Sequence, residues 1–143
     1  MSSLSPMFQL HLLAAPGDLP LQSPPETPLA ALSADAISRS LMAVTFEELA
    51  DRLQACDRVH FEMDGSFVWT GCDHDAQAWQ LDGMVYDLHQ RVQRIELKGR
   101  CPRGPWQTLL SAIDYPAQAL LAYDLKSGLF TTLVNLETHL WRG

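Results

Sequence analysis

The stretch from Val59 to Lys98 leaves this chain the fewest choices of fold. Val59, Phe61 and Met63 alternate with polar residues, and Asp64-Gly65 follows, an Asp-Gly pair after an alternating run being a strong hairpin signal. Ser66-Phe67-Val68-Trp69 then runs back as the partner strand, and the stretch from Cys72 to Ala76, with Asp73, His74 and Asp75, reads as a loop. The segment from Trp79 to Lys98 has two readings. Asp82-Gly83 makes a second tight hairpin, or Trp79 to Tyr86 is one strand, Asp87 to Arg91 the turn and Val92 to Lys98 the return strand. The second is preferred, because the first leaves strands of about three residues, below the usual length. The centre of the chain is thus an antiparallel meander ending in Ile95-Glu96-Leu97-Lys98.

Helical patterns flank the meander. Phe46, Leu49, Ala50 and Leu53 recur at helical spacing, with Thr45 placed to cap and Glu48 three residues on, at the capping-box position. Pro105 suits a first helical turn, and Trp106, Leu109, Leu110 and Ile113 form an apolar stripe after it. Ala119 to Leu125 and Leu129 to Leu136 read as strands around Lys126-Ser127-Gly128, the last of them equally readable as helix. The order is helix, three strands, helix, strand and a tail, an α+β domain.

Residues 1 to 28 hold six of the nine prolines. Each proline fixes φ and removes a backbone donor, so regular structure does not propagate through such a stretch. Residues 1–41 therefore read as a partly extended, proline-rich arm, docked through Phe8, Leu10 and Leu12, with a short helix over Ser33 to Leu41. Residues 42–143 read as the single domain, and Met42 as an alternative translation start.

The 47% apolar share suits one packed core in 143 residues. No run approaches the roughly 18 apolar residues of a membrane span, and no Lys or Arg precedes Arg39 to begin an export signal. Three scattered cysteines, Cys56, Cys72 and Cys101, describe no disulfide framework, so a reducing, cytoplasmic setting is expected. A formal charge of −7 argues against a nucleic-acid coat protein. Yet Arg91, Arg94, Lys98, Arg100 and Arg103 fall within thirteen residues that hold one acid, Glu96. Screening confines such a patch to about 10 Å, so it can still meet an anion or simply be a solvated surface.

With the last turn centred on His89, Asp82 faces Glu96 and Gln80 faces Lys98. Residues two apart share a strand face, so Asp82, Glu96 and Lys98 point one way and Leu81, Val85, Ile95 and Leu97 the other. Opposed carboxylates repel unless a cation lies between them. A hard divalent ion such as Mg²⁺ resolves that conflict, and an ammonium on the same face orients a metal-bound water beside a phosphodiester. The plain alternative is an ordinary sheet face on which Lys98 and Arg94 neutralise Glu96 and Asp82 across strands.

Asp82, thirteen intervening residues and then Glu96-Leu97-Lys98 on an apolar strand resemble the PD-(D/E)XK nuclease superfamily, whose αβββαβ core is similar to the element order above. The resemblance implies a restriction-endonuclease-like fold, an antiparallel meander flanked by helices, and a metal-dependent phosphodiesterase acting on DNA or RNA. Asp82 and Glu96 would bind Mg²⁺ or Mn²⁺, with the Leu97 carbonyl as a further ligand. Lys98 would be the catalytic lysine, and Glu47 or Glu48 of the first helix would complete the metal site. Arg94, Arg100 and Arg103 would contact nucleic-acid phosphates. Leu81 stands where the family's name has proline, and in the second helix only Gln107 offers itself as an extra motif residue.

Two rival expectations stand beside this one. A non-catalytic interaction module would bind a protein partner, or a second copy as a homodimer, through a sheet edge, the C-terminal strand or the arm. A small-ligand site would be lined by Trp79, Trp106 and Tyr86. Cys72-Asp73-His74-Asp75 with Cys101 has ligand-type residues but no standard zinc spacing, and neither a Gly-x-Ser-x-Gly elbow nor a phosphate-cradling glycine loop occurs.

Overall fold

A computed structural model describes residues 4–16 and 40–141. Strand β1 (Phe8–Ala14) comes first, and helix α1 (Phe46–Gln54) follows. The meander is β2 (Val59–Phe61), β3 (Ser66–Cys72), β4 (Ala78–Leu88) and β5 (Arg91–Gly99). Helix α2 (Arg103–Ala112), strands β6 (Leu120–Asp124) and β7 (Leu129–Thr132) and helix α3 (Leu133–Leu140) complete the order among the described residues. One seven-stranded sheet runs β2-β3-β4-β5-β1-β6-β7, with every neighbouring pair antiparallel. Among the described residues no helix is long and apolar enough to cross a membrane.

Alternation divides the sheet into two faces. Leu10 and Leu12 of β1, Leu81 and Val85 of β4, Ile95 and Leu97 of β5, and Leu120 and Ala122 of β6 are buried on the inner face. They share one apolar cluster with Leu49 and Leu53 of α1, Trp106 and Leu109 of α2, and Leu133, Leu136 and Leu140 of α3. The three helices therefore cover the inner face, and it is helix-on-sheet burial that holds the domain together. On the outer face, Gln80, Asp82 and Lys98 are exposed.

The sheet corrects the expected domain boundary. β1 lies between β5 and β6, bonded to both, so residues 4–16 belong to the domain rather than to an arm outside it. Phe8, Leu10 and Leu12 are buried as expected, but as inner-face residues of a central strand. Pro6 and Pro16 stand just outside β1, leaving seven consecutive residues with free backbone donors. The helix expected over 33–41 falls almost wholly outside the described residues.

Elsewhere the differences are local. Met63 is 96% exposed in the turn between β2 and β3 rather than in a strand, because the turn spans Glu62 to Gly65 and Gly65 takes φ +99°. Leu129 to Leu136 divides into β7 and α3, where Thr132 accepts a bond from Asn135 N and starts the helix. The meander has four strands rather than three.

Candidate functional site

Asp82-Gly83 lies inside β4. Gly83 is there because the Phe67 ring of β3 lies across it, and a Cβ would collide with that ring. Asp82 is therefore a strand residue, exposed on the outer face.

The register differs from the expected one. The turn is Leu88 to Arg91, with His89 at φ +53° and Gln90 at φ +72°, both in the left-handed region that two-residue hairpin turns require. A bulge between Tyr86 and Asp87 lies just before the turn. Together they move the pairing by two residues, so Asp82 faces Lys98 and Glu96 faces Met84. Asp82 does not face Glu96, and Gln80 does not face Lys98. A shift of two preserves side-chain direction, so Asp82, Glu96 and Lys98 still share the outer face, where they line one shallow depression with His11 and Gln9.

Glu96 is already engaged within the protein. Tyr86 Oη donates to Glu96 Oε1 at 3.3 Å, and Arg94 Nε donates to Oε2 at 3.0 Å. His11 Nε2 lies 3.5 Å from the same Oε2, brought there by β1. The Arg94 guanidinium also stacks on the Tyr86 ring, 3.9 Å from its centroid. Burial pushes the His11 imidazole below its usual value; Glu96 opposes that shift and Arg94 adds to it. Sequence reasoning missed His11 and Tyr86 in this cluster. The His11–Glu96 contact depends on a pairing between residues 85 positions apart, which no local pattern signals.

Asp82 Oδ1 accepts from Gln80 Nε2 at 2.8 Å, and among the described residues it forms no ion pair with Lys98 opposite. Glu48 is elsewhere. It caps α1 through Thr45 N at 3.0 Å, and it lies 3.8 Å from Arg52; the Thr45 bonds hold its carboxyl below the usual range. Because α1 packs on the inner face, Glu48 cannot join Asp82 and Glu96 across the sheet. Glu47, its alternative, is on the same first turn.

The residues present therefore do not fit the metal centre implied by the resemblance. Glu96 has protein donors on both oxygens, Asp82 is the one other acid in the depression, and no group of three His, Cys, Asp or Glu placed to hold a metal occurs among the described residues. The three arginines are also dispersed. Arg94 serves Glu96, Arg100 Nη2 donates to Ala78 O at 3.3 Å, and Arg103 starts α2 with its guanidinium 5.8 Å from the Trp141 ring centroid. Trp79, Trp106 and Tyr86 do not form a common pocket. Trp106 is in the core, Trp79 lies over Gly71, and Tyr86 is on the outer face. Asp73 Oδ1 accepts from Asp75 N and Gln77 N, so the Cys72–Asp75 loop is a bonded turn. Burial pushes the Cys101 thiol up to about 12.

No family model, curated protein or solved structure matches the chain.

Proposed function

We propose that this domain is a non-catalytic binding module that takes an anionic partner, single-stranded nucleic acid, on the outer face of β3, β4 and β5. The observation that carries the reading is the engagement of Glu96. Its carboxylate is neutralised by Arg94 and bonded by Tyr86, which leaves it poorly suited to a divalent ion, since a metal would have to displace both donors. Lys98, by contrast, is exposed and has no ion pair among the described residues. The Arg94 guanidinium stacked on the Tyr86 ring, and Lys98 further along β5 with Thr70 and Gln80 as neutral donors, supply on one sheet face the cations and ring that single strands engage.

Fluorescence anisotropy with a labelled single-stranded oligonucleotide tests the reading, paired with a Mn²⁺-dependent cleavage assay on single- and double-stranded DNA. Expected are salt-sensitive binding that Lys98→Glu weakens, and no cleavage by wild type or Lys98→Ala. Cleavage by wild type that Lys98→Ala abolishes would overturn the non-catalytic reading in favour of a metal-dependent phosphodiesterase. Displacement of the oligonucleotide by poly-glutamate at equal concentration would reassign the partner to an acidic protein segment.

A further inference from the structure

Beside the Glu96 cluster, a second row of side chains crosses the sheet. Thr70 N donates to Arg58 O at 3.3 Å, Thr70 pairs with Gln80, and Arg100 N donates to Gln80 O at 3.1 Å. This bonding puts Arg58, Thr70, Gln80 and Arg100 side by side on four chain segments. Lys98 lies two residues before Arg100, at the end of β5 and across from Asp82. All six line a single depression of about 580 Å³, walled by Trp79, a volume in the range of small-ligand sites.

Its charge is uneven. Three cations face one carboxylate, on a chain with a net charge of −7. Arg58, Lys98 and Arg100 form no ion pair among the described residues, and Asp82 is bonded by Gln80. The row crosses four segments about 4.8 Å apart, and the long basic side chains at its two ends, Arg58 and Arg100, line the same depression. Clustered cations repel one another unless an anion is bound, and charge-assisted bonds to a phosphate are about twice as strong as neutral ones. Arg58 is held at φ +65°, a backbone state unfavourable for a long side chain, between α1 and β2.

We propose that Arg58, Lys98 and Arg100 form an oxyanion site for a phosphate group, with Thr70 and Gln80 as neutral partners. The site rests on the outer-face reading above and names its anchoring point: one phosphate, whether of a mononucleotide or of a nucleic-acid strand. Arg58 lies outside the basic run of 91–103, and the chain fold alone brings it there.

Amide NMR spectra of the whole chain, titrated separately with inorganic phosphate, a mononucleotide and an eight-residue oligodeoxythymidylate, test it. Saturable shifts are expected at Thr70, Gln80, Lys98 and Arg100. Arg58→Gly, which relaxes the left-handed backbone while removing the charge, is expected to weaken phosphate binding about tenfold with the spectrum otherwise native; Lys98→Glu is expected to abolish it. Unchanged affinity in both variants, or shifts confined to other residues, would overturn the site. Oligonucleotide shifts at Tyr86 and Arg94 without any at Thr70 and Arg100 would reject this site but leave the binding-module reading standing. No shift with any of the three ligands would reject both. A mononucleotide that binds as tightly as the oligonucleotide would make the ligand a free nucleotide.

Discussion

Phe67 and Gly83 meet where β3 and β4 pair, and this contact decides that Asp82-Gly83 is strand and not turn. Gly83→Ala forces the ring or strand to move, and should destabilise the domain by about 1–3 kcal/mol, read as a lower urea midpoint at unchanged slope. His11 gives a pH signature. Burial holds its imidazole below the usual value of 6.5, so the fold favours the neutral form and unfolding takes up a proton. Stability should be full above about pH 6.5 and should fall as pH drops through the lowered native value. Urea midpoints measured from pH 7.5 to pH 5 should decline in wild type and decline less in His11→Gln. An equal decline in both would remove His11 from the explanation.

At the scale of elements, α1 shows what local chemistry can specify. Thr45 and Glu48 cap each other's backbone at 3.1 and 3.0 Å, as their spacing predicts. Thr45→Ala should cost about 1 kcal/mol, measured by thermal or urea unfolding. The β4–β5 hairpin shows the opposite. Its turn residues are His89 and Gln90, both at positive φ without the Asn-Gly or Asp-Gly that marks such turns. With the bulge at Tyr86/Asp87, this moved Glu96 from Asp82 to Met84. Gln90→Gly should therefore stabilise by about 0.5–1 kcal/mol through relief of the left-handed strain. A loss of stability would show that the Gln90 side chain contributes more than its backbone costs.

For the whole molecule, β1 is the decisive piece. It joins the meander to β6 and β7, and it buries Leu10 and Leu12 at the centre of the core. A chain begun at Met42 would leave the edges of β5 and β6 unpaired and remove that apolar layer. It should show no cooperative unfolding transition by circular dichroism, and it should aggregate. A native-like transition in that truncated chain would return residues 4–16 to the status of an arm.

The alternation of Val59 to Lys98, the Thr45–Glu48 cap and the stripe from Trp106 to Ile113 depend on neighbours a few residues apart, and the sequence by itself determined them. It placed Glu96 and Lys98 on one face, because side-chain direction has period two. Asp82 joins them once the Phe67–Gly83 contact fixes it in a strand, and that shared face survives a register shift of two. Their partners were decided by tertiary structure. A bulge and an unmarked turn set the register, β1 delivers His11 to Glu96 across 85 residues, and the α1–β2 connection delivers Arg58 to Lys98 and Arg100. Those contacts depend on chain-distant segments packing on one core, and no local pattern encodes which segment arrives.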